Sequence, residues 1–424
     1  MDARHSELYS ATDADIRAHA LSISDAVAAG DVSACPLTSE PLADPLRGID
    51  PKHHRRRLRR AQALVALADD AQTIGGNTGL SYAPDRVVEI HRDARERQGL
   101  FVRSGHLAVP GAGSSAVPLS TVAADPLRLL ARHLAFVEAF ERLAYDAGLR
   151  FIMLTATLEP SYHPNPTRGR CSWNGASPAD AHKTLSRRFS RFRRELSDRR
   201  RRALGLHGEE PHTDGTPHLH AALALGRVTS DLHLYCDAAL AAFGGTLKIL
   251  TGVGDSQTAV YYCADGSLEP CHVDASARVT INVLDNPDEV EGAAKLSSYL
   301  MKYLEKGVGF GVLGDSEATS DLDRVLAHRY AVGAKALTWL GLPPGARTVW
   351  DLARQVDLAA LDPSAPDFAL ALVEAAQLGM CDASPDAPRA SEGAYRFLDL
   401  LGGLQLTSST TRPAGDAWHE ARPL

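Results

Sequence analysis

Pro211-His212-Thr213-Asp214-Gly215-Thr216-Pro217-His218-Leu219-His220 places three imidazoles and one carboxylate within ten residues around a turn. Asp214-Gly215 is turn chemistry. His218 and His220 are two apart, so on a strand both side chains leave the same face and can share one ion. The apolar run Ala221-Ala222-Leu223-Ala224-Leu225 then carries that strand into a core. The stretch reads as a metal site built on a hairpin, since imidazole is a common metal ligand. Its spacing does not name the metal. A second assembly is open to the same residues, in which His212 and Asp214 join the distant His272 as a non-haem iron facial triad.

Working outward, Phe151-Ile152-Met153-Leu154-Thr155-Ala156-Thr157-Leu158 reads as a buried strand, followed by a Pro-rich loop and a helix starting near Pro178. A helix over 229–243, strands near 246–250, 256–262 and 278–284, and a helix over 288–306 complete the pattern. Strands interleaved with helices, with antiparallel pairing expected, predict an α+β fold with a central antiparallel sheet and helical regions on either side. The predicted organisation is an irregular segment over 1–50, a mainly helical basic region over 51–147, the sheet domain over 148–310, a C-terminal helical region over 311–381 and a weakly ordered tail over 382–424.

The chain of 424 residues is 44% hydrophobic and 23% charged, a globular composition long enough for two or three domains. It shows neither a long apolar span nor an N-terminal signal pattern, so a soluble cytoplasmic protein without a membrane partner is expected. The six cysteines are scattered without a C-x-x-C pair, which argues against both a zinc knuckle and a disulfide framework.

A net charge of −7 argues at first against a nucleic-acid partner, but the charge is unevenly placed. Residues 187–202 carry nine arginines against Glu195 and Asp198, with Phe189 and Phe192 interleaved where a helix buries them. Residues 52–60, Lys-His-His-Arg-Arg-Arg-Leu-Arg-Arg, form a second cluster. A charge run is usually a solvated face; two arginine-rich runs in an acidic chain point to phosphate binding, with Arg187, Arg188, Arg191, Arg194, Arg55 and Arg56 as the DNA-binding candidates.

In Tyr299-Leu300-Met301-Lys302-Tyr303 the two tyrosines stand at i and i+4 and share a helix face, with Lys302 beside them. A tyrosine pair alone is ordinarily packing. Beside a histidine metal hairpin it acquires a chemistry: a phenol with a pKa near 10 attacks a phosphate once a metal polarises the phosphate and a cation or base assists. Two phenols permit two successive transfers.

A strand ending in Leu-Thr-x-Thr, a His-hydrophobic-His strand and a Tyr-x-x-Lys-Tyr helix, in that order, resemble the HUH endonucleases. The segments 210–220 and 298–306 are most similar to the phage GPA replication endonucleases, the two-tyrosine rolling-circle initiators. The likeness extends through Trp173-Asn174-Gly175, the 52–62 run, Ser81-Tyr82 and the Trp339–Trp350 stretch with its Gly341-Leu342-Pro343-Pro344, covering roughly residues 50–355.

The resemblance implies an HUH nuclease core over 148–310 and a divalent ion, magnesium or manganese with zinc also suited, on His218 and His220. His212 is the first choice for third ligand and Glu210 the second; Asp214 is assigned mainly to the turn, and Thr155 and Thr157 to shaping the strand beneath. Tyr299, Tyr303 and Lys302 become the catalytic set. The activity implied is nicking of one origin strand with a 5′-phosphotyrosine and a free 3′-hydroxyl, followed by rejoining of the displaced strand. Partners implied are single-stranded or extruded origin DNA, a host helicase and the replication machinery, since no G-x-x-x-x-G-K-[ST] loop is found. A two-tyrosine transposase and a noncatalytic DNA-binding regulator are the competing readings.

Overall fold

Strand β3 (Arg150–Ala156) is buried on both faces, with Phe151 and Met153 alternating against Ile152 and Leu154. Such a strand needs cover on both sides, and the computed structural model supplies it. It describes residues 3–29, 50–76, 78–108, 116–122, 126–167, 169–226, 229–252, 257–284, 316–358, 366–378 and 390–404.

Two short strands, β1 (His106–Ala108) and β2 (Ala116–Pro118), pair with each other. The main sheet adds β4 (Gly205–Pro211), β5 (Pro217–Leu225), β6 (Leu247–Thr251), β7 (Thr258–Tyr262), β8 (Leu268–Pro270), β9 (Val279–Leu284) and β10 (Thr338–Leu340). Its order is β10-β4-β5-β3-β9-β6-β7-β8, antiparallel throughout except for the parallel pair β6–β9. The α+β expectation is borne out.

The face bearing Ile152, Leu154, Leu219, Ala221 and Leu223 packs on the helices Pro178–Asp198 and Thr229–Phe243. The first of these starts where Ser177 accepts the Asp180 N–H and Pro178 fills the first turn. Its stripe Leu185, Phe189, Phe192 and Leu196 recurs at helical spacing and is buried, each side chain contributing about 1.5–3 kcal/mol. The opposite face, with Phe151, Met153, Leu206, Ala222 and Ala224, receives Val137, Phe140 and Ala144 of the helix Pro126–Asp146.

Three segments differ from the sequence expectation. Helices Ala3–Ser10 and Asp13–Ala28 occupy part of the stretch expected to be irregular; Thr12 and Asp15 form a capping box, and Ile16, Ala20 and Ile23 pack with Leu58. Within the expected tail, helix Ala390–Leu400 buries Phe397 and Leu398 beside Trp350 and Phe136. Strand β10 joins the sheet from beyond residue 310, pairing with β4. The helix expected over 288–306 lies outside the described residues. Among the described residues no helix is long and apolar enough to cross a membrane.

Candidate metal centre

The β4–β5 ladder sets Glu210 opposite His218 and Gly208 opposite His220. By alternation Glu210, His218 and His220 therefore share one face, while Glu209 turns to the other and meets His182 and Ser186 of the arginine-rich helix. Oε2 of Glu210 lies 3.9 Å from Nε2 of His218 and 4.0 Å from Nε2 of His220. One donor atom from each of the three residues falls within 4.8 Å of the others, the one such group found among the described residues. Donors on a common ion at about 2.1 Å stand roughly 3.0–3.4 Å apart, so a small closure of the side chains meets a divalent cation. Two imidazoles and a carboxylate are a donor set that a divalent cation such as zinc or manganese accepts.

Glu210, the second choice for third ligand, thus stands with the histidine pair, and His212, the first choice, stands outside that group. The reason is local. Strand β4 ends at Pro211, so alternation no longer governs His212, whose N–H is turned to the Thr216 carbonyl at 2.7 Å. Its ring lies 4.2 Å from that of His218 and 5.3 Å from that of His163. Burial first, then the neighbouring His163, pushes the His212 pKa down to about 4.

Asp214 does serve the turn: Oδ1 accepts the Thr216 N–H at 3.1 Å, and Gly215 takes φ 79°, the left-handed region that glycine allows. It does more. Oδ2 lies 2.8 Å from Nδ1 of His163, a residue the sequence reading did not single out. Burial raises the Asp214 pKa, but the hydrogen bonds from His163 and Thr216 outweigh it and hold the carboxyl below its usual range. His328, deeply buried, places Nε2 2.7 Å from the Gly215 carbonyl, and the Tyr82 N–H reaches the Thr213 carbonyl at 2.8 Å. The turn is therefore braced from three directions.

Two further groups brace this part of the hairpin. Oγ1 of Thr155 lies 3.1 Å from Nδ1 of His220, which leaves Nε2 of that ring toward Glu210. Arg329, buried beneath the hairpin, donates from Nε and Nη2 to the Glu209 carbonyl at 3.2 and 3.0 Å and lines a small cavity with Glu210 and His220. Burial lowers its pKa, opposed by the attraction of Glu210 and Glu209. Nothing near Arg329 in sequence signals this role.

The iron triad is not assembled. His272 is 80% exposed and faces Asp274, whereas Asp214 is 2% exposed and engaged with His163.

The basic candidates divide. On the Pro178–Asp198 helix, Arg187, Arg191 and Arg194 are exposed along one face and line a shallow cavity with Ser186 and Ser190. Arg188 is turned inward, bonded to Glu159 at 2.6 Å and to the Phe243 carbonyl at 3.2 Å. In the helix Pro51–Asp69, Arg55 and Arg59 both pair with Asp13, which also takes Arg17 and Arg97. Burial raises the Asp13 pKa, and these guanidinium groups overcome it and hold the carboxyl far below its usual range. Arg60 is spent on the Ala331 and Val332 carbonyls; Arg56 is exposed. Tyr299, Lys302 and Tyr303 lie outside the described residues.

Residues 46–229 match the family model described as bacteriophage replication gene A protein (GPA). The chain is 35% identical over 89 residues to the replication gene A protein of Escherichia phage 186, a match covering 20% of this chain and 13% of that protein. It is 26% identical over 204 residues to the replication protein of Haemophilus phage HP1 (strain HP1c1), covering 47% and 22%, and 29% identical over 87 residues to the probable replication protein P12 of Pseudoalteromonas phage PM2, covering 20% and 13%. The resemblance to a phage GPA-type replication protein is borne out. The matched parts span under a quarter of each relative's length. No solved structure matches.

Proposed function

We propose that this protein is a rolling-circle replication initiator that nicks one origin strand by tyrosine transesterification and later rejoins the displaced strand. The observation that carries the reading is the gathering of Glu210, His218 and His220 on one face of a braced hairpin. The similarity of residues 46–229 to replication gene A proteins favours replication over transposition.

In this reading Glu210, His218 and His220 hold the divalent ion, and Thr155 and Arg329 keep two of them in place. The ion, when bound, draws charge from a non-bridging phosphate oxygen and so stabilises the transition state. The phenol oxygen of Tyr299 or Tyr303 bonds to phosphorus, the bond from phosphorus to the 3′ oxygen breaks, and that oxygen leaves as a hydroxyl after taking a proton. Lys302, adjacent to Tyr303 in sequence, offsets charge on the phenolate or phosphate. The second tyrosine repeats the exchange on the regenerated origin, so no nucleotide energy is consumed. Arg187, Arg191 and Arg194 hold the strand by its phosphates without reading bases.

The elements flanking 285–315 support the assignment. Strand β9 ends at Leu284 on the β3 ladder that also carries Thr155, and helix Ser316–Val332 supplies His328 and Arg329 to the hairpin. The fourteen residues between Leu284 and Tyr299 reach at most about 50 Å when extended, ample to bring a phenol to the site.

The test incubates the protein with end-labelled single-stranded oligonucleotides tiled across its own replicon, with manganese or with chelator, on a denaturing gel. A metal-dependent protein-linked fragment, lost in the Tyr299→Phe/Tyr303→Phe double variant, is expected. Binding without any adduct on any tile supports a noncatalytic regulator instead.

A further inference from the structure

The Trp339–Trp350 stretch, part of the resemblance, has no role in the chemistry above, yet it builds a second site. Trp339 sits on β10 opposite Leu206 of β4, and Leu206 shares the sheet face of Glu210 four residues further along the strand. At the rise of a strand that is roughly 13 Å from the metal centre. Between β10, the helix Ala346–Ala353 and the Pro126–Asp146 helix lies a cavity of about 410 Å³.

Its walls are of two kinds. Trp339, Leu342 and Pro343 present an apolar side, with Trp339 held edge-on by Phe136 and Phe140. Arg132, Arg347 and Asp351 present the charged side. Arg132 uses Asp351 as its ion-pair partner. Arg347 is half-buried, repelled by Arg132 and attracted by the same Asp351 carboxylate that Arg132 already engages. Two guanidinium groups against one carboxylate leave the cavity with an uncompensated positive charge. Two partly buried cations that share one counter-charge are costly to keep together unless a further anion visits them. The local field agrees: burial first, then Arg132 and Arg347, pushes the pKa of neighbouring His133 down to about 4. The helix Ala346–Ala353 begins at Gly345 without a side-chain cap, and its first-turn amides favour the same sign of ligand.

We propose that this cavity takes one phosphate of a single DNA strand, with Arg347 on its non-bridging oxygens and an adjacent base against the Trp339 wall. The site rests on the proposed function in that DNA is the partner, but it requires no chemistry. It lies on the same side of the sheet as the metal centre, with the buried cluster of Leu206, Met153 and Phe140 packed on that face.

The test measures binding of labelled dT20 to the full chain in chelator, across a salt series, for wild type, Arg347→Gln and Arg347→Lys, with thermal melting alongside. Arg347→Gln is expected to weaken binding about five- to tenfold and to lower the slope of log K against log salt by about 0.7, at unchanged melting temperature, with Arg347→Lys intermediate. Wild type binding with Arg347→Gln equal in affinity and slope overturns this inference and leaves the proposed function standing. No binding of dT20 by wild type overturns this inference, whereas the proposed function stands or falls on the metal-dependent adduct. Tight binding of free dTMP that depends on Arg347, with dT20 affinity independent of it, overturns the assignment to a strand.

Discussion

The hydroxyl of Thr155 faces Nδ1 of His220 at 3.1 Å across the ladder that makes the two residues direct partners. A ring that donates from Nδ1 keeps its lone pair on Nε2, the nitrogen nearest Glu210. Thr155→Val keeps the side-chain shape and removes the acceptor. Manganese affinity, measured by calorimetric titration, is expected to fall roughly tenfold in Thr155→Val and to be retained in Thr155→Ser. Equal affinity in wild type and Thr155→Val would refute the orienting role.

The choice of third ligand is separable in the same assay. Glu210→Gln is expected to lower metal affinity by at least about tenfold, because it removes the carboxylate from a three-donor group. His212→Gln, altering a residue that stands outside that group, is expected to change affinity by less than about threefold. The reverse order would return His212 to the ligand set.

The two arginine clusters are expected to respond differently. Arg187, Arg191 and Arg194 are exposed on one helix face, so replacing all three by Gln lowers single-strand affinity and the salt slope by about 2 while leaving the melting temperature near wild type. Arg55 is bonded to both oxygens of Asp13 at 3.0 Å. Arg55→Gln is expected to cost about 1 kcal/mol of stability in denaturant melts, with little change in DNA affinity.

Acid sensitivity follows from the histidines the fold keeps neutral. Burial is the leading cause that pushes His91, His133, His207 and His328 down to about 4. Their unfolded value is about 6.5. Below that, the unfolded chain binds protons the native fold refuses, so stability falls as pH drops from about 6.5 toward 4, by at most about 1.4 kcal/mol per pH unit per group. Asp214, with a depressed folded pKa, acts lower: its stabilisation is present above the unfolded carboxyl value and is lost as pH falls through the folded one. Circular-dichroism melts should show a falling Tm from pH 7 to pH 5, shallower in His328→Gln. A flat profile over that range would contradict the burial of neutral histidines.

Much of the hairpin was legible because a two-residue spacing survives only on a strand: His218 and His220 share a face as their spacing requires, and β5 carries Ala221–Leu225 into the core. The order of His212 and Glu210 as third ligand was not legible, because strand β4 ends at Pro211 and the alternation that sets Glu210 beside His218 no longer governs His212. His163 and Arg329 were invisible for a different reason. They reach the site from 51 and 120 residues away, His163 to Asp214 and Arg329 to Glu209, and no local periodicity encodes such a contact. The arginine runs looked alike in sequence. Asp13, the residue that separates them physically, lies on a helix that a polar N-terminal composition concealed.

The central claim is a covalent bond between a tyrosine and the nicked strand, and the sequence makes it easy to locate. Trypsin cuts after Lys295, Lys302 and Lys306, so Tyr299 falls in the peptide Leu296–Lys302 and Tyr303 in Tyr303–Lys306. After reaction with a tiled single-stranded oligonucleotide and manganese, then nuclease and trypsin digestion, mass spectrometry should find one of these two peptides carrying a 5′-linked nucleotide, absent with chelator and absent in Glu210→Gln. A nucleotide on any other residue, or on neither peptide when the strand has been cut, would contradict the account.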